Sequence, residues 1–282
     1  MSCSTVRTYL TSDGLRLHFR HWSAAAKVRG VVVALHGIQS HSGWYDYSSQ
    51  RLAEAGFEVY FADRRGAGLN DFRRGHADHG ERLLQDVRQL VRLVRREHPD
   101  VPLSLLGLSW GGKLAAALAC ASPALVDRLV LLYPGLKPLI RPTRWQLLQL
   151  KFARHHDLRH KPVAIPLEDP RLMTANVERQ EFINNDPLAL RFVTSGFLNS
   201  GRDLDRIADR HADQIHHPTL LMLAGRDQII DNTKTILTAK TFGTKDLTTV
   251  CYPDAQHTLE FESVRDQFVG DLIDWLRQDA IS

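Results

Sequence analysis

The sequence predicts an α/β fold, a mostly parallel sheet of eight strands with helices on both faces. Three observations carry this. Short continuous apolar runs alternate with amphipathic helical stretches along most of the 282 residues, the arrangement of a sheet buried on both sides. The run 30–35, GVVVAL, is apolar without alternation and rich in valine, as a buried parallel strand requires. The stretch 81–97 places Leu83, Leu84, Val87, Leu90, Val91 and Val94 at three- and four-residue spacings, which gives one apolar helix face.

The other elements follow in order. Runs 5–10 and 15–20 flank Ser12-Asp13-Gly14, and Asp-Gly between two such runs marks a hairpin. A helix over 44–55 stops at Gly56, and a strand follows at 57–62. Pro99 and Pro102 end the helix at 81–97. Then come a strand at 103–106, a helix at 113–121 and strands at 129–133, 219–223 and 247–252. A terminal helix at 263–278 carries Val264, Phe268, Leu272, Trp275 and Leu276 on one face. From Pro134 to about His217 the character changes: prolines 134, 138, 142, 162, 166, 170 and 187 punctuate it, His and Arg are frequent, and no strong strand is evident. About 80 residues is too long for a plain loop, so this segment reads as a helical insertion lying over a site.

Composition excludes several classes. Hydrophobic residues at 43% and charged residues at 24% are globular proportions and rule out a disordered or fibrous chain. The net charge is +4, but the arginines are scattered, and the densest groups, 88–96 and 141–161, accompany no nucleic-acid motif. The first reads as a solvated helix face, so no nucleic-acid partner is expected. Cys3, Cys120 and Cys251 have no framework spacing, which points to reduced thiols and a cytoplasmic location. Cys120 and Cys251 read as small core residues. Residues 1–10 lack the apolar segment of a signal peptide. No apolar run approaches the roughly 20 residues that span a bilayer, so stable membrane insertion is not expected.

No metal or other cofactor is expected. His76-Ala77-Asp78-His79 resembles a metallo-hydrolase fragment but lacks the His-x-His it would need, and His155-His156 and His216-His217 are adjacent pairs whose rings point apart. No phosphate-binding G-x-x-x-x-G-K-[ST] occurs, and Gly66-Ala67-Gly68 lacks the third glycine of a dinucleotide loop.

The chemistry concentrates at Gly107-Leu108-Ser109-Trp110-Gly111-Gly112, between an apolar strand and a helix. This is the G-x-S-x-G nucleophile elbow in its strand–turn–helix context. The turn holds Ser109 in a strained backbone conformation clear of the sheet, and its neighbours two residues away must be small to let strand and helix approach. A serine hydroxyl needs an adjacent base, and the base needs an orienting carboxylate. In elbows of this kind the chain order is Ser, acid, His. Asp227, in Gly225-Arg226-Asp227 after the strand at 219–223, is the candidate acid, with Asp231 and Asp254 as rivals. His257, after the strand at 247–252, is the candidate base. One oxyanion donor is the backbone N–H after the nucleophile, Trp110; the other comes from His36-Gly37-Ile38, most directly Ile38. His36 itself reads as a buried structural histidine.

Here a resemblance becomes specific. His36-Gly37, Ser40-His41-Ser42-Gly43-Trp44-Tyr45, Asp63-Arg64-Arg65-Gly66-Ala67-Gly68, the elbow, Gly225-Arg226-Asp227 and Gln256-His257 run in order across nearly the whole chain. In these segments the sequence resembles the lysophospholipase and monoacylglycerol lipase branch of the α/β-hydrolases, also grouped as serine aminopeptidase-like hydrolases. The resemblance implies the α/β-hydrolase fold, a core over 1–135 and 212–282, and a helical lid over 136–211. It also implies a single-chain lipid ester of the monoacylglycerol or lysophospholipid type as substrate. Two departures stand out: Trp110 where many relatives have Met or Gln, and Leu69-Asn70 where a Ser is usual. An amidase, aminopeptidase or thioesterase using the same three residues is the alternative enzyme. A binding module without catalysis is the alternative from another class. The oligomeric state is not legible.

Overall fold

The computed structural model describes residues 4–140, 143, 145, 148, 150–152 and 158–278. Arg141, Arg144, Cys3 and the pair His155-His156 lie outside the described residues.

The main sheet has eight strands: β1 (Thr5–Leu10), β2 (Arg16–Trp22), β3 (Gly30–Leu35), β4 (Phe57–Ala62), β5 (Leu103–Leu108), β6 (Arg128–Leu132), and, beyond the insertion, β9 (Thr219–Ala224) and β10 (Leu247–Tyr252). Their order is β1-β2-β4-β3-β5-β6-β9-β10. β2 pairs antiparallel with both β1 and β4, while the pairs from β4 through β10 are parallel. Every residue of β3, β4, β5, β6 and β9 is buried, which accounts for their largely apolar sequences: helices cover both faces.

Helix α2 (Gly80–Glu97) buries Leu83, Leu84, Val87, Leu90, Val91 and Val94, while Arg95 and Arg96 sit in its last turn, where cations complement the helix dipole. It packs beside α3 (Trp110–Ala121). On the other side, α1 (Asp46–Glu54) packs against α7 (Arg265–Arg277). β3 lies between β4 and β5, so the chain steps away from β3 in one direction and then in the other. The crevice at the carboxyl ends of β3 and β5 is where ligands bind in open parallel sheets.

Between β6 and β9 the chain leaves the sheet and returns to the adjacent position. Its described part holds a two-stranded antiparallel sheet, β7 (Pro162–Ala164) and β8 (Phe192–Thr194), with α4 (Val177–Asn185) and α5 (Ser195–Arg210). Helix α5 lies on α2 and α3.

Four details differ from expectation. β7 and β8 were not expected, because three-residue strands are too short to show a period. Helix α6 (Asn232–Ala239) buries little beyond Thr235 and Ala239 and so has no apolar stripe. The helix expected over 44–55 is a 3₁₀ turn, Ser42–Tyr45, followed by α1. Cys251 is exposed rather than a core residue, because β10 is the edge strand and Thr249 and Cys251 share its uncovered face. Cys120 is buried in α3 as expected.

Candidate active site

β5 ends at Leu108 and α3 begins at Trp110, so the whole reversal falls on Ser109. Its φ is +48° and ψ −121°, a conformation that costs a non-glycine residue about 1–3 kcal/mol and persists only where the surroundings impose it. Ser109 N–H donates to the Leu132 carbonyl at 3.0 Å, and the Ser109 carbonyl accepts from Gly112 at 2.8 Å and Gly135 at 2.6 Å. The end of β6 and the turn after it therefore hold the strain. The glycines make this possible by close approach: a Cβ on Gly111 would lie 2.2 Å from the Leu35 carbonyl oxygen, and one on Gly107 2.7 Å from the Ala115 Cβ. Gly111→Ala is therefore expected to force β3 and α3 apart and to destabilise the protein by about 3 kcal/mol, the upper range for overpacking. A urea midpoint equal to wild type would remove this account of the elbow.

Ser109 Oγ lies 2.9 Å from His257 Nε2. His257 Nδ1 lies 2.7 Å from Asp227 Oδ2. An ionised carboxylate only accepts, so Nδ1 carries the proton and Nε2 presents its lone pair to the serine hydroxyl. Asp227 Oδ1 accepts from the N–H groups of Ile229, at 2.8 Å, and Ile230, at 3.0 Å. The Asp227 side chain is 0% exposed and that of His257 2%, so the chain of bonds is shielded from competing water. The Tyr133 ring meets the imidazole edge-on, with centroids 4.8 Å apart. The two rival acids are engaged elsewhere. Asp231 caps α6 by accepting from Lys234 N–H at 3.0 Å. Asp254 pairs with Arg226 at the surface.

Trp110 opens α3, so its N–H belongs to the unpaired first turn, at the positive end of the helix dipole. Ile38 follows β3 and lines the cleft with Ser109 and His257. Gly37 brings the two together, since a Cβ there would lie 3.3 Å from the Ser109 Cβ. Further lining comes from Trp44, Tyr133, Met173 and Thr258. His36 is buried; its Nε2 accepts from Arg64 N–H at 2.9 Å and its Nδ1 donates to the Gly37 carbonyl at 2.8 Å. Burial holds the imidazole well below its usual pKa, so it stays neutral.

The remaining motif residues brace this architecture. The Asp63 carboxylate accepts from Ser42 N–H at 2.8 Å and Leu69 N–H at 2.9 Å. Asn70, at the position where a serine is usual, donates to the Asp63 carbonyl at 2.7 Å and accepts from His18 N–H at 2.9 Å. Arg65 pairs with Asp86 and Asp13. Trp44 Nε1 donates to Asp186 at 2.6 Å, and His41 lies 3.0 Å from the same oxygen, which ties the loop after β3 to the insertion. Arg64 is a feature that sequence reasoning passed over. It is 8% exposed, and burial lowers its pKa to about 9, still protonated at neutral pH. Its signal was the doubled arginine after Asp63. Among the described residues no cluster of three or more potential metal ligands occurs, and no helix is long and apolar enough to cross a membrane.

Comparison with known proteins finds a matching family and several relatives. The family model described as "Serine aminopeptidase, S33" matches residues 26–264. The chain is 25% identical to the monoglyceride lipase of Mus musculus over 274 residues, covering 95% of this chain and 88% of that one. It is 25% identical to the monoacylglycerol lipase of Mycolicibacterium smegmatis, covering 93% of both chains. The crystal structure of the monoacylglycerol lipase of Paleococcus ferrophilus superposes with a TM-score of 0.84 at 24% identity, covering 93% of this chain and 99% of that chain, a likeness of fold.

Proposed function

We propose, because the chain belongs to the serine aminopeptidase S33 family, that its hydrolase activity is the cleavage of single-chain lipid esters, of the monoacylglycerol or lysophospholipid type, through an acyl-enzyme on Ser109. The fold expected from the motifs, the α/β-hydrolase fold, is the fold found. The observation that carries the site assignment is the buried hydrogen-bonded sequence Ser109–His257–Asp227.

In this reading His257 Nε2 takes the Ser109 proton as Oγ attacks the ester carbonyl. The N–H groups of Ile38 and Trp110 stabilise the tetrahedral oxyanion. His257 then gives its proton to the leaving alcohol, and the C–O bond breaks to leave the acyl-enzyme. Water, deprotonated by the same nitrogen, attacks the acyl carbonyl, and the acid departs as Ser109 regains its proton. Asp227 keeps Nδ1 protonated throughout and stabilises the imidazolium.

Support for a lipid ester comes from the relatives' substrates and from the apolar walls given by Ile38, Trp44, Tyr133 and Met173. None of the described residues lining the cleft is acidic, which leaves the free α-ammonium of an aminopeptidase substrate without a counter-charge. We assign residues 136–211 as a lid; its described part exposes Trp145 by 67%, Leu148 by 55% and Phe152 by 56%, apolar surface suited to a lipid-bearing phase. Hydrolysis of p-nitrophenyl acetate, octanoate and palmitate tests the substrate class. Each buried methylene contributes about 0.8 kcal/mol, so burial of even about two of the extra methylenes of octanoate is expected to raise its kcat/KM over that of acetate by about tenfold. Equal rates across the series would rule out an acyl pocket.

A further inference from the structure

The peptide that presents the Ile38 N–H is gripped from behind. Its carbonyl belongs to Gly37, since the C=O of one residue and the N–H of the next form one planar trans unit and point in opposite directions. An N–H aimed at the reacting oxygen therefore needs a carbonyl aimed into the protein and held there. The Gly37 carbonyl accepts from Arg64 Nη1 at 3.0 Å as well as from His36 Nδ1. Arg64 Nη2 reaches the next carbonyl, that of Ile38, at 3.2 Å. One planar fork thus spans two consecutive peptides.

The fork is itself locked. The guanidinium carbon sits 4.8 Å from the centre of a Trp110 ring and 4.7 Å from that of Phe197. Those two side chains stack on each other at 4.6 Å. Trp110 supplies the other oxyanion donor, and Phe197 comes from α5 of the insertion. Asp63 gives the cation electrostatic support, yet its carboxylate is already bonded to the backbone of Ser42 and Leu69. The structure thus holds a buried guanidinium directed at peptide carbonyls, an arrangement costly for stability alone.

We propose that Arg64 is a positioning residue of the oxyanion hole: its hydrogen bonds to the Gly37 and Ile38 carbonyls fix the direction of the Ile38 N–H and polarise it towards the developing charge. This rests on the reading of Ser109 as nucleophile and Ile38 as donor. A cation on the carbonyl side of a peptide draws electron density from the amide and strengthens its N–H as a donor.

The test compares wild type with Arg64→Met and Arg64→Lys, using p-nitrophenyl octanoate and an octyl trifluoromethyl ketone, which forms an oxyanion on the serine. Losing an oxyanion donor outright costs about 10²–10³ in kcat; a donor misdirected but present should cost less, about 10–100-fold in Arg64→Met. KM should stay within threefold, and affinity for the ketone should fall by the same factor as kcat. Arg64→Lys keeps the charge and one bond, and should recover part of the loss. A merely structural role would lower Tm and the fraction of active protein without separating kcat from KM. Folded Arg64→Met with wild-type kcat and ketone affinity overturns the proposal. If Arg64→Met fails to fold, Arg64→Lys decides, with wild-type values overturning it and a parallel loss of at least fivefold supporting it. Fluorophosphonate labelling of wild type and Ser109→Ala separates the failures: if Ser109 is not the labelled residue, the site reading fails and takes this inference with it; if it is, the Arg64 variants judge the inference alone.

Discussion

Ser109→Ala is expected to lower kcat by about 10⁵-fold while leaving the fold intact. The magnitude follows from how triads behave: the residues act as a unit, and removing the nucleophile costs nearly as much as removing all three. Structure gives the reason for the intact fold. The positive φ at 109 is imposed by backbone bonds to Leu132, Gly112 and Gly135, none of which involves the hydroxyl. The side chain's hydrogen bond is to His257, and alanine removes it without adding volume. Tm should therefore move by no more than a few degrees, since about 1 kcal/mol corresponds to roughly 2–4 °C in a protein of this size. Fluorophosphonate labelling should vanish with turnover. Esterase activity within tenfold of wild type, in protein free of wild-type contamination, would dismiss Ser109 as nucleophile.

The second large effect belongs to Asp227→Asn, expected to reduce kcat about 10³–10⁴-fold near neutral pH. The geometry dictates the direction. Oδ1 of Asp227 accepts two backbone N–H bonds, from Ile229 and Ile230. An asparagine must keep its carbonyl oxygen there, because turning the amide around would set donor against two donors. Its NH₂ then faces His257 Nδ1, which must become the acceptor. The imidazole is forced into the tautomer that carries its proton on Nε2, and that nitrogen can no longer take the proton of Ser109. Asp231→Asn and Asp254→Asn, whose carboxylates face Lys234 and Arg226, should stay within about threefold of wild type. A large loss in either, with Asp227→Asn active, would reassign the acid.

The elements that position the site were the most legible because their physics is the most monotonous. β3 and β4 have the bounds their runs give, and a strand covered on both faces writes most of its length in hydrophobic residues. The elbow was legible because the glycine requirement is steric and leaves little choice of residue. What escaped is what two adjacent, chemically identical residues do differently. Arg64 and Arg65 look alike in sequence, yet one faces peptide carbonyls and the other Asp86 and Asp13. Side-chain direction, not residue type, separates them, and direction is set by a turn with no period to read. Helix α6 was hidden for a related reason: its first turn is fixed by the Asp231 cap rather than by an apolar stripe.

The contact between Ser109 and His257 joins residues 148 positions apart, and that separation has a consequence for the life of the chain. Synthesis runs from the amino end, and structure forms as the chain emerges. The proposed nucleophile and both proposed oxyanion peptides belong to the part made first, whereas the proposed base hangs on the loop after β10, which is one edge of the sheet. Until the loop after β10 is made, Ser109 lacks the proposed base. On the proposed site, competence to cut esters requires the loop after β10 to be in place.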